Sequence, residues 1–455
     1  MNLNRRRWLQ TSSRAALAAG IGGLSLSHRA QAMAEPGDYR ALVCVFLLGG
    51  MDGHDLLLPY DQTNYDHWAG ARSSMLGAYS GARDRGQLRV LAPDNASAFS
   101  GRQFALPPEM PNLQRLFQAG DAAFVGNVGP LVRPTTKAAF EAGTVPLPPR
   151  LFSHNDQQST WMSSSPEGAR FGWGGFFADS IAALNGSPVF TGITSGGNDL
   201  FLTGNQSFPF QIGLQGAASL GLLEEIAGAE IDLFREHFRP QADAATALLD
   251  QDVANALRNA FDANESYGAA LASQSALQTG FPESYLGAQL RAVARTIAAR
   301  DALNATRQVF IVSAGGFDTH SEQARALPGL LADIDAGIDA FQRALVELGL
   351  VDKVTLFTAS EFGRTLAVNG DGTDHGWGGH QILVGGGVRG RVIHGDLPSP
   401  EFGHDQDAGS GRLIPTTAVE QLAAPLGAWL GLDGAQVSAA LPNLASFGEG
   451  LSLHA

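Results

Sequence analysis

Unbroken runs of apolar residues mark the candidate strands of this chain. The first run, Ala41–Leu48, is closed by the pair Gly49-Gly50. Similar runs span 122–125, 308–313, 353–358 and 382–384. A strand that is apolar at every position is typical of a parallel sheet that is covered on both faces. These runs therefore predict strands buried inside such a sheet.

Apolar residues at helical spacing fill the intervals between these runs. The clearest segments are Met110–Gln118, Ala324–Leu348 and Thr416–Leu430. Pro415 marks the start of the last helix, and Pro425 predicts a kink or a split within it. Strands alternating with helices predict an α/β fold with a mostly parallel sheet flanked by helices. We expect one domain over residues 33–455, with a helical insertion over 217–300 that is rich in Ala, Leu, Glu, Arg and Gln.

The first 32 residues predict an export signal rather than a part of the fold. Asn4-Arg5-Arg6-Arg7-Trp8-Leu9-Gln10 resembles the twin-arginine signature, and Ala30-Gln31-Ala32 is a small-x-small cleavage site after an apolar run. A basic amphipathic helix is the alternative. The run is too short to cross a bilayer, and no later segment is long and apolar enough to do so. We expect a mature protein that starts near Met33 and is periplasmic or secreted.

Composition narrows the classes of function. Only 16% of the 455 residues are charged, and the formal net charge is −14. Such a chain lacks the basic face with which proteins bind nucleic acid, so no nucleic-acid partner is expected. Cys44 is the single cysteine, which excludes an intramolecular disulfide framework and a cysteine-rich zinc site. The 44% of hydrophobic residues is typical of a globular protein.

Carboxylates and histidines follow the predicted strands, at the sheet edge where open α/β folds bind ligands. Hard divalent cations take carboxylate oxygens, and zinc or manganese also accepts imidazole. The candidate metal ligands are Asp52, Asp318, His320, Glu361, Asp374, His375 and His380. Each has a structural alternative: a turn for Asp52 or Asp318, a helix start for Glu361, a buried or rim position for the histidines. Together they predict a site for Zn, Mn, Ca or Mg.

A nucleophile is expected at the start of the helix that opens near Ser153. This serine gains from the helix dipole, and the backbone amides there attract a phosphate or sulfate group. Plain helix capping by Ser153 or Asn155 is the alternative. We add two catalytic candidates, namely His154, whose alternative is a rim histidine, and Arg364, which would hold the anion. Arg364 lies in a predicted loop, 363–377, whose length is typical of functional or mobile segments.

Other catalytic and cofactor patterns are missing from the sequence. No G-x-S-x-G elbow joins a strand to a helix, and no P-loop occurs. Gly385–Gly390 matches the letters of G-x-G-x-x-G. The residues after it, Arg391-Val392-Ile393, predict a strand instead of a helix, so we interpret these glycines as a hairpin turn. No nucleotide cofactor is therefore expected.

Taken in order, these motifs resemble the exported bacterial family called domain of unknown function 1501. The resemblance runs through essentially the whole mature chain. Besides the twin-arginine leader, it is carried by Gly49-Gly50-Met51-Asp52-Gly53, Ser153-His154-Asn155-Asp156-Gln157-Gln158, Gly316-Phe317-Asp318-Thr319-His320, Ser360-Glu361-Phe362-Gly363-Arg364-Thr365 and Gly372-Thr373-Asp374-His375-Gly376. That family is similar to the alkaline phosphatase and sulfatase superfamily of metal-dependent hydrolases. The resemblance implies an alkaline-phosphatase-like sheet with a metal centre at its strand ends.

The superfamily also implies roles for residues at matching positions. Asp52 resembles the aspartate ligand after the first strand, and Ser153 lies about where the Ser or Thr nucleophile is expected. Asp318 and His320 resemble the Asp and His that ligate the other metal from one loop. Their spacing is tighter than the usual Asp-x-x-x-His, which is one departure from the pattern.

A second departure lies after the strand at 353–358. Glu361-Phe362 stands where the superfamily has Asp-His, while His375 or His380 resembles its late His ligand. The departures leave two metals, one metal and no metal as open alternatives.

Three functions are compatible with these features. The leading hypothesis is an exported metal-dependent hydrolase of phosphate or sulfate esters, on a small molecule or a glycan, in which a metal activates Ser153 or a water. A non-catalytic binding or assembly protein of the envelope, with a degenerate metal site, is the alternative that Glu361-Phe362 favours. Another metal-assisted chemistry is the third.

Overall fold

The structure, a computed structural model, describes residues 38–196, 200–217, 248–448 and 450–454. The predicted export signal, residues 1–32, lies outside these ranges and stays a prediction. Within them, no helix combines the length and the apolar character that a bilayer crossing requires.

Fifteen strands and twelve α-helices make up the regular structure of the described residues. The strands are β1 (Arg40–Leu47), β2 (Leu58–Pro59), β3 (Arg89–Val90), β4 (Phe104–Leu106), β5 (Ala122–Gly129), β6 (Gly192–Thr194), β7 (Phe210–Gly213), β8 (Gly216–Ala217), β9 (Arg307–Ala314), β10 (Val354–Ala359), β11 (Arg364–Val368), β12 (Thr373–His375), β13 (Gly379–Val384), β14 (Ile393–Gly395) and β15 (Thr417–Ala418). The helices are α1 (Gly53–Leu56), α2 (Gln62–Ala71), α3 (Ser73–Leu76), α4 (Pro111–Ala119), α5 (Lys137–Glu141), α6 (His154–Ser163), α7 (Trp173–Ile181), α8 (Leu248–Ala272), α9 (Tyr285–Ala298), α10 (Gln323–Glu347), α11 (Val419–Leu430) and α12 (Gly434–Ala440).

Ten strands form one sheet, in the order β14-β5-β13-β10-β1-β9-β6-β7-β8, with β15 also paired to β5. Its pairings are parallel except those of β13 with β10 and β5, and that of β7 with β8. The predicted α/β fold with a mostly parallel sheet flanked by helices is therefore confirmed. The strand β1 is central, since Val43 lies between Leu356 of β10 and Phe310 of β9.

Side chains of β1 are buried on both faces of the sheet. Val43 and Val45 enter one hydrophobic cluster together with residues of α4, α9 and α10. Leu42, Cys44 and Phe46 enter a second cluster with residues of α6, α7, α11 and α12. Successive residues of a strand point to opposite faces, so a strand covered on both sides must be apolar throughout.

The five predicted strands correspond to β1, β5, β9, β10 and β13, and the three predicted helices correspond to α4, α10 and α11. The helix α11 continues past Pro425. In the predicted insertion, residues 218–247 lie outside the described ranges, and α8 and α9 are helical as expected. Leu290 and Val293 of α9 belong to the main core beside the sheet.

Two local predictions were wrong. The expected loop 363–377 contains a hairpin of β11 and β12, in which Arg364 pairs with His375. Gly385–Gly390 does not form a hairpin turn, because β13 and β14 both pair with β5, which lies between them. The connection passes so close to the start of β5 that a Cβ on Gly390 would lie within 1.8 Å of the Gly120 carbonyl oxygen.

Candidate functional site

The site lies where three neighbouring parallel strands, β10, β1 and β9, end. Gly49 and Gly50 follow β1 with φ of 119° and 86°, a left-handed backbone that favours glycine. A Cβ on Gly49 would lie 2.3 Å from the backbone nitrogen of Asp318, and one on Gly50 would lie 2.3 Å from the Phe362 ring. The two glycines thus let the loops after β9 and β10 close over the end of β1.

Three side chains of metal-ligating type converge above these glycines. His154, Asp318 and His375 each offer one ligand atom, and these atoms all lie within 4.8 Å of one another. Asp318 Oδ1 lies 3.1 Å from His375 Nε2, and Asp318 Oδ2 lies 3.4 Å from His154 Nε2. We call these three residues the cation group. They come from the start of α6, the loop after β9 and the end of β12.

Hydrogen bonds on the far side of each ring determine which histidine nitrogen faces the centre of the group. His154 Nδ1 lies 2.8 Å from Glu361 Oε1, and His375 Nδ1 lies 2.7 Å from the Phe152 carbonyl oxygen. A carbonyl oxygen and a carboxylate can only accept, so Nδ1 of each ring carries the hydrogen. In the neutral rings, Nε2 therefore presents a lone pair towards Asp318. This arrangement is typical of metal-binding histidines, whose other nitrogen donates to a carboxylate or carbonyl.

His320 adjoins the cation group from the loop after β9. Its Nε2 lies 2.8 Å from His375 Nε2 and 3.2 Å from Asp318 Oδ1. Its Nδ1 lies 3.4 Å from Asp374 Oδ1, so Asp374 stands behind the His320 ring. His320 thus lies next to the cation group, with Asp374 on the far side of its ring.

The donor set fits a divalent cation. Ligand bonds of about 2.0–2.1 Å in a tetrahedral site place neighbouring ligand atoms about 3.3 Å apart. Four contacts among these atoms, to one or the other oxygen of Asp318 or between two rings, lie at 2.8 to 3.4 Å, and the ligand atoms of the cation group all lie within 4.8 Å of one another. Two or three imidazoles beside one carboxylate suit zinc or manganese better than calcium or magnesium, which prefer oxygen ligands.

The titration of these groups follows from their surroundings. The hydrogen bond to Glu361 raises the pKa of His154 above its usual value. Partial burial alone would raise the pKa of Asp318, but the hydrogen bond and charge of Arg364 hold it below its usual value. Burial lowers the pKa of His375. These directions favour an anionic Asp318 and a neutral His375, and they favour a proton on His154.

Glu361 and Phe362 support the cation group instead of joining it. The Glu361 side chain is fully buried, and its Oε1 accepts from the Gly49 amide at 2.9 Å and from Gln158 Nε2 at 3.0 Å, besides His154. The Phe362 ring packs against the His154 ring, with centroids 4.9 Å apart, and also stacks on His375. The two residues that depart from the superfamily pattern thus orient both histidines.

Arg364 is also a supporting residue. Its guanidinium is buried and donates to Asp318 Oδ1 at 2.8 Å, to the Gly49 carbonyl at 3.0 Å and to both oxygens of Thr373. These bonds hold the Asp318 carboxylate in place. The same bonds use the guanidinium nitrogens with which we expected Arg364 to bind an anion.

Asp52 is not brought into the cation group. Both of its carboxylate oxygens bind the buried guanidinium of Arg72, at 2.5 and 3.1 Å, and Gln323 Nε2 donates to it at 2.6 Å. Burial alone would raise the pKa of Asp52, but the charge and hydrogen bonds of Arg72 hold it below its usual value. Gln323 Oε1 in turn accepts from Thr319 and Thr373, which links Asp52 to the loops of the site.

His380 also lies apart from the cation group. It is buried near the start of β13, and its Nδ1 accepts a hydrogen bond of 3.0 Å from the Asn127 amide. Burial lowers the pKa of His380 to about 3, so the ring stays neutral.

Ser153 is the N-cap residue of α6, and its side chain points to a carboxylate. Its Oγ donates to Asp156 Oδ2 at 3.0 Å, and no side chain of the described residues caps the helix. Phe152, directly before it, has φ of 74°, which is rare for a bulky residue and frequent at functional sites. The strained backbone aims the Phe152 carbonyl at His375.

Sequence reasoning missed Asp156 and Phe152 as parts of the site. Asp156 follows Ser153 by three residues, which at a helix start brings the two side chains together, so this pairing had a readable signal. Phe152 orients His375 through its backbone carbonyl, and the pattern of side chains in a sequence does not indicate where a backbone carbonyl points.

A family model described as "Protein of unknown function (DUF1501)" matches residues 39–443, so the chain belongs to the DUF1501 family. A search of curated proteins gave no match. Among solved structures, Ps i-CgsB is similar at a TM-score of 0.35 and 11% identity, over 90% of this chain and 77% of that one. Its complex with k-i-k-neocarrahexaose gives a TM-score of 0.33 and 11% identity, over 88% and 73%.

Proposed function

We propose that this member of the DUF1501 family is an exported hydrolase of phosphate or sulfate esters that depends on one divalent cation. The observation that carries the proposal is the cation group, in which two Nε2 lone pairs and a carboxylate face one another. Arg364 already pairs with Asp318, but the two imidazole lone pairs gain no hydrogen bond from the carboxylate that they face, and a cation would bind all three groups. His154, Asp318 and His375 would hold the cation, with His320 as a further ligand.

When bound, the cation supplies electrostatic stabilisation for the negative charge that develops on the ester group. The protein's own residues supply the other parts. The amides of the first turn of α6, which lack a side-chain cap among the described residues, offer donors to the phosphate or sulfate oxygens. Ser153 Oγ is the candidate nucleophile, and the Asp156 carboxylate is placed to accept its proton.

The substrate class follows from the same features. A helix N-terminus beside a cation site favours an anionic group, and neither feature selects the organic part of the ester. We therefore propose a small-molecule or glycan ester. Export through the twin-arginine route fits a chain whose site is assembled from distant loops, because that route carries proteins that are already folded.

A non-catalytic binding or assembly role in the envelope is the second candidate, and a specific observation favours it. Asp52, which resembles a ligand of a second metal, is bound on both oxygens by Arg72. A site for one cation whose buried Arg364 is already paired with Asp318 has fewer groups with which to stabilise a transition state than a two-metal site has.

Metal analysis and turnover distinguish the two candidates. We expect the purified protein to retain about one zinc or manganese per chain and to cleave an aryl phosphate or an aryl sulfate. Ser153→Ala should abolish turnover and keep the metal, while Ser163→Ala, at the other end of α6, should change neither. His375→Ala should lose the metal, and His67→Ala, an exposed histidine, should keep it.

Stoichiometric metal without turnover of either ester would favour the envelope role. No retained metal, and no activity after addition of Zn²⁺, Mn²⁺, Ca²⁺ or Mg²⁺, would overturn the proposed hydrolase.

A further inference from the structure

A cavity of about 360 Å³ is lined by α8, α9 and the turn that joins β7 to β8. This volume lies within the range of about 300–1,000 Å³ that is usual for ligand pockets. Its apolar walls come from the end of α8 and the loop after it, and they include Leu271 and Leu277. Its polar lining includes Gln215, Arg291 and Arg295. Among the described residues that line it there is no carboxylate and no member of the cation group.

The two arginines of the cavity bring positive charge without a counter-charge. Arg291 and Arg295 are four residues apart on α9, so both guanidinium groups lie on one face of the helix, where like charges repel. Arg295 Nη1 donates to the Gln215 carbonyl at 2.9 Å, and Arg291 Nη2 donates to Gln215 Oε1 at 3.3 Å. Both acceptors are uncharged, and within the described ranges neither arginine forms a salt bridge. The chain as a whole carries a formal net charge of −14, so this pair is a local exception.

Both guanidinium groups are also partly withdrawn from water. The two side chains are half-buried, and the Nε of Arg291 is buried with no hydrogen-bond partner in the part of the chain that the structure describes. A buried donor without a partner costs free energy. A cation that is partly withdrawn from water gains more from a counter-ion than a solvated cation does, because solvent and salt screen it less. An anion in the cavity would therefore stabilise both arginines.

The loop after α8, which forms part of the apolar wall, is held in place by Glu347 at the end of α10. Glu347 Oε1 accepts from the Gln278 amide at 2.7 Å, and its Oε2 accepts from the amide and the hydroxyl of Thr279 at 2.9 and 2.7 Å. These three donors engage the Glu347 carboxylate, which does not line the cavity. Leu277, beside them, packs against the main core. The apolar wall is thus formed before a ligand binds.

We infer that this cavity binds a phosphate monoester with a small apolar body. Two uncompensated guanidinium groups match a charge of −2, which a phosphate monoester approaches near neutral pH and which a carboxylate or a sulfate ester does not carry. The planar guanidinium groups of Arg291 and Arg295 donate to its oxygens, a geometry in which arginine binds phosphate well. The apolar body lies against Leu271 and Leu277. This inference does not depend on the cation group or on the proposed hydrolase.

The test uses phenylphosphonate, a dianion at pH 8 that has no ester bond to hydrolyse, on the whole protein. Labelling of the arginine Cζ with ¹³C reports the signals of Arg291 and Arg295, which Arg291→Gln and Arg295→Gln identify by their loss. We expect phenylphosphonate to shift both signals. Its affinity should be about tenfold above that of benzoate, which carries one charge less, and about tenfold above that of methylphosphonate, which lacks the ring.

The same two variants test the arginines one at a time. Each should lower the affinity for phenylphosphonate about tenfold or more, measured on the signal of the arginine that remains, because one of the two cations is gone. Arg343→Gln is the matched control, since it removes an exposed arginine of α10 that is paired with Asp339, and it should leave the affinity unchanged. The inference would be overturned if phenylphosphonate shifted neither signal or bound no more tightly than benzoate or methylphosphonate. Unchanged affinity in Arg291→Gln and Arg295→Gln would overturn it as well.

Discussion

Replacing Glu361 with Gln removes one buried negative charge and keeps an oxygen that can accept from His154 Nδ1. The Glu361 side chain is fully buried, and its Oε1 lies 2.8 Å from that nitrogen. Loss of such an outer partner typically weakens metal binding by about 10–100-fold. We expect Zn²⁺ to bind Glu361→Gln more weakly by about this factor, a loss of about 1.4–2.7 kcal/mol.

The same substitution changes the titration of His154. In the metal-free protein, Glu361 raises the pKa of His154. Protonated His154 therefore stabilises the fold fully below its ordinary pKa, and this contribution is lost as the pH rises through the raised pKa. In Glu361→Gln we expect the pKa of His154 to return towards about 6.5 and this pH dependence to diminish.

Calorimetric titration with Zn²⁺ at fixed pH and NMR titration of the His154 ring measure the two effects. Glu322→Gln is the matched control, because it removes an exposed negative charge that is paired with Arg325. The assignment of Glu361 as the partner of a metal-binding histidine would be refuted if Glu361→Gln bound Zn²⁺ as tightly as the wild type. It would also be refuted if Glu361→Gln and Glu322→Gln lost the same amount of Zn²⁺ affinity.

Three further predictions concern the surroundings of the site. Acid should destabilise the fold, because the unfolded chain protonates His54 and His380 below about pH 6.5 whereas the folded chain keeps them neutral. Each histidine should lower the free energy of unfolding by about 2 kcal/mol between pH 7 and pH 5, which denaturant unfolding measures. Asp52→Asn should lower the free energy of unfolding by about 3–5 kcal/mol, since it leaves Arg72 as an uncompensated buried charge. Gly372→Ala should weaken Zn²⁺ binding in calorimetry, because its Cβ would lie 2.3 Å from a backbone carbon of the loop after β9.

Each of these predictions has its own control. His380→Asn cannot take up the proton, so an unchanged acid sensitivity in this variant would contradict the first. Asp66→Asn changes an exposed aspartate, and a loss of stability equal to that of Asp52→Asn would contradict the second. Gly315→Ala adds a Cβ with no atom within 4 Å, so it should bind Zn²⁺ like the wild type if the third is right.

The buried strands of the sheet were predictable because burial on both faces requires an unbroken run of apolar residues in the sequence. The run Ala41–Leu48 indicated a strand buried on both faces, and the strand Arg40–Leu47 is buried at every position after the first. The rule that ligands bind beyond strand ends then indicated Asp318 and Glu361, both of which lie at the site. His375 lies at the end of β12 in the structure, inside what was predicted as a loop.

The partners of buried charges could not be predicted in the same way. Hydrophobic patterning says which positions are buried and nothing about which cation compensates a buried acid. Asp52 has the sequence context of a metal ligand, yet its carboxylate forms a salt bridge with Arg72, twenty positions later in the chain. Nothing in the sequence around Arg72 indicates this pairing. Likewise, Glu361 and His154 lie 207 residues apart, and only the folded chain shows that one orients the other.

Charge compensation links the pKa of His154 to the binding of a cation. Asp318, Glu361 and Asp374 surround the histidines, while Arg364 pairs with Asp318 and Arg412 donates to the His375 carbonyl. Glu361 is the buried carboxylate among them, and a buried negative charge costs free energy unless a positive charge joins it. In the metal-free protein the hydrogen bond to Glu361 raises the pKa of His154, which favours a proton on that ring. A divalent cation at the same place would displace this proton and take over its role, so cation binding should release protons and strengthen as the pH rises.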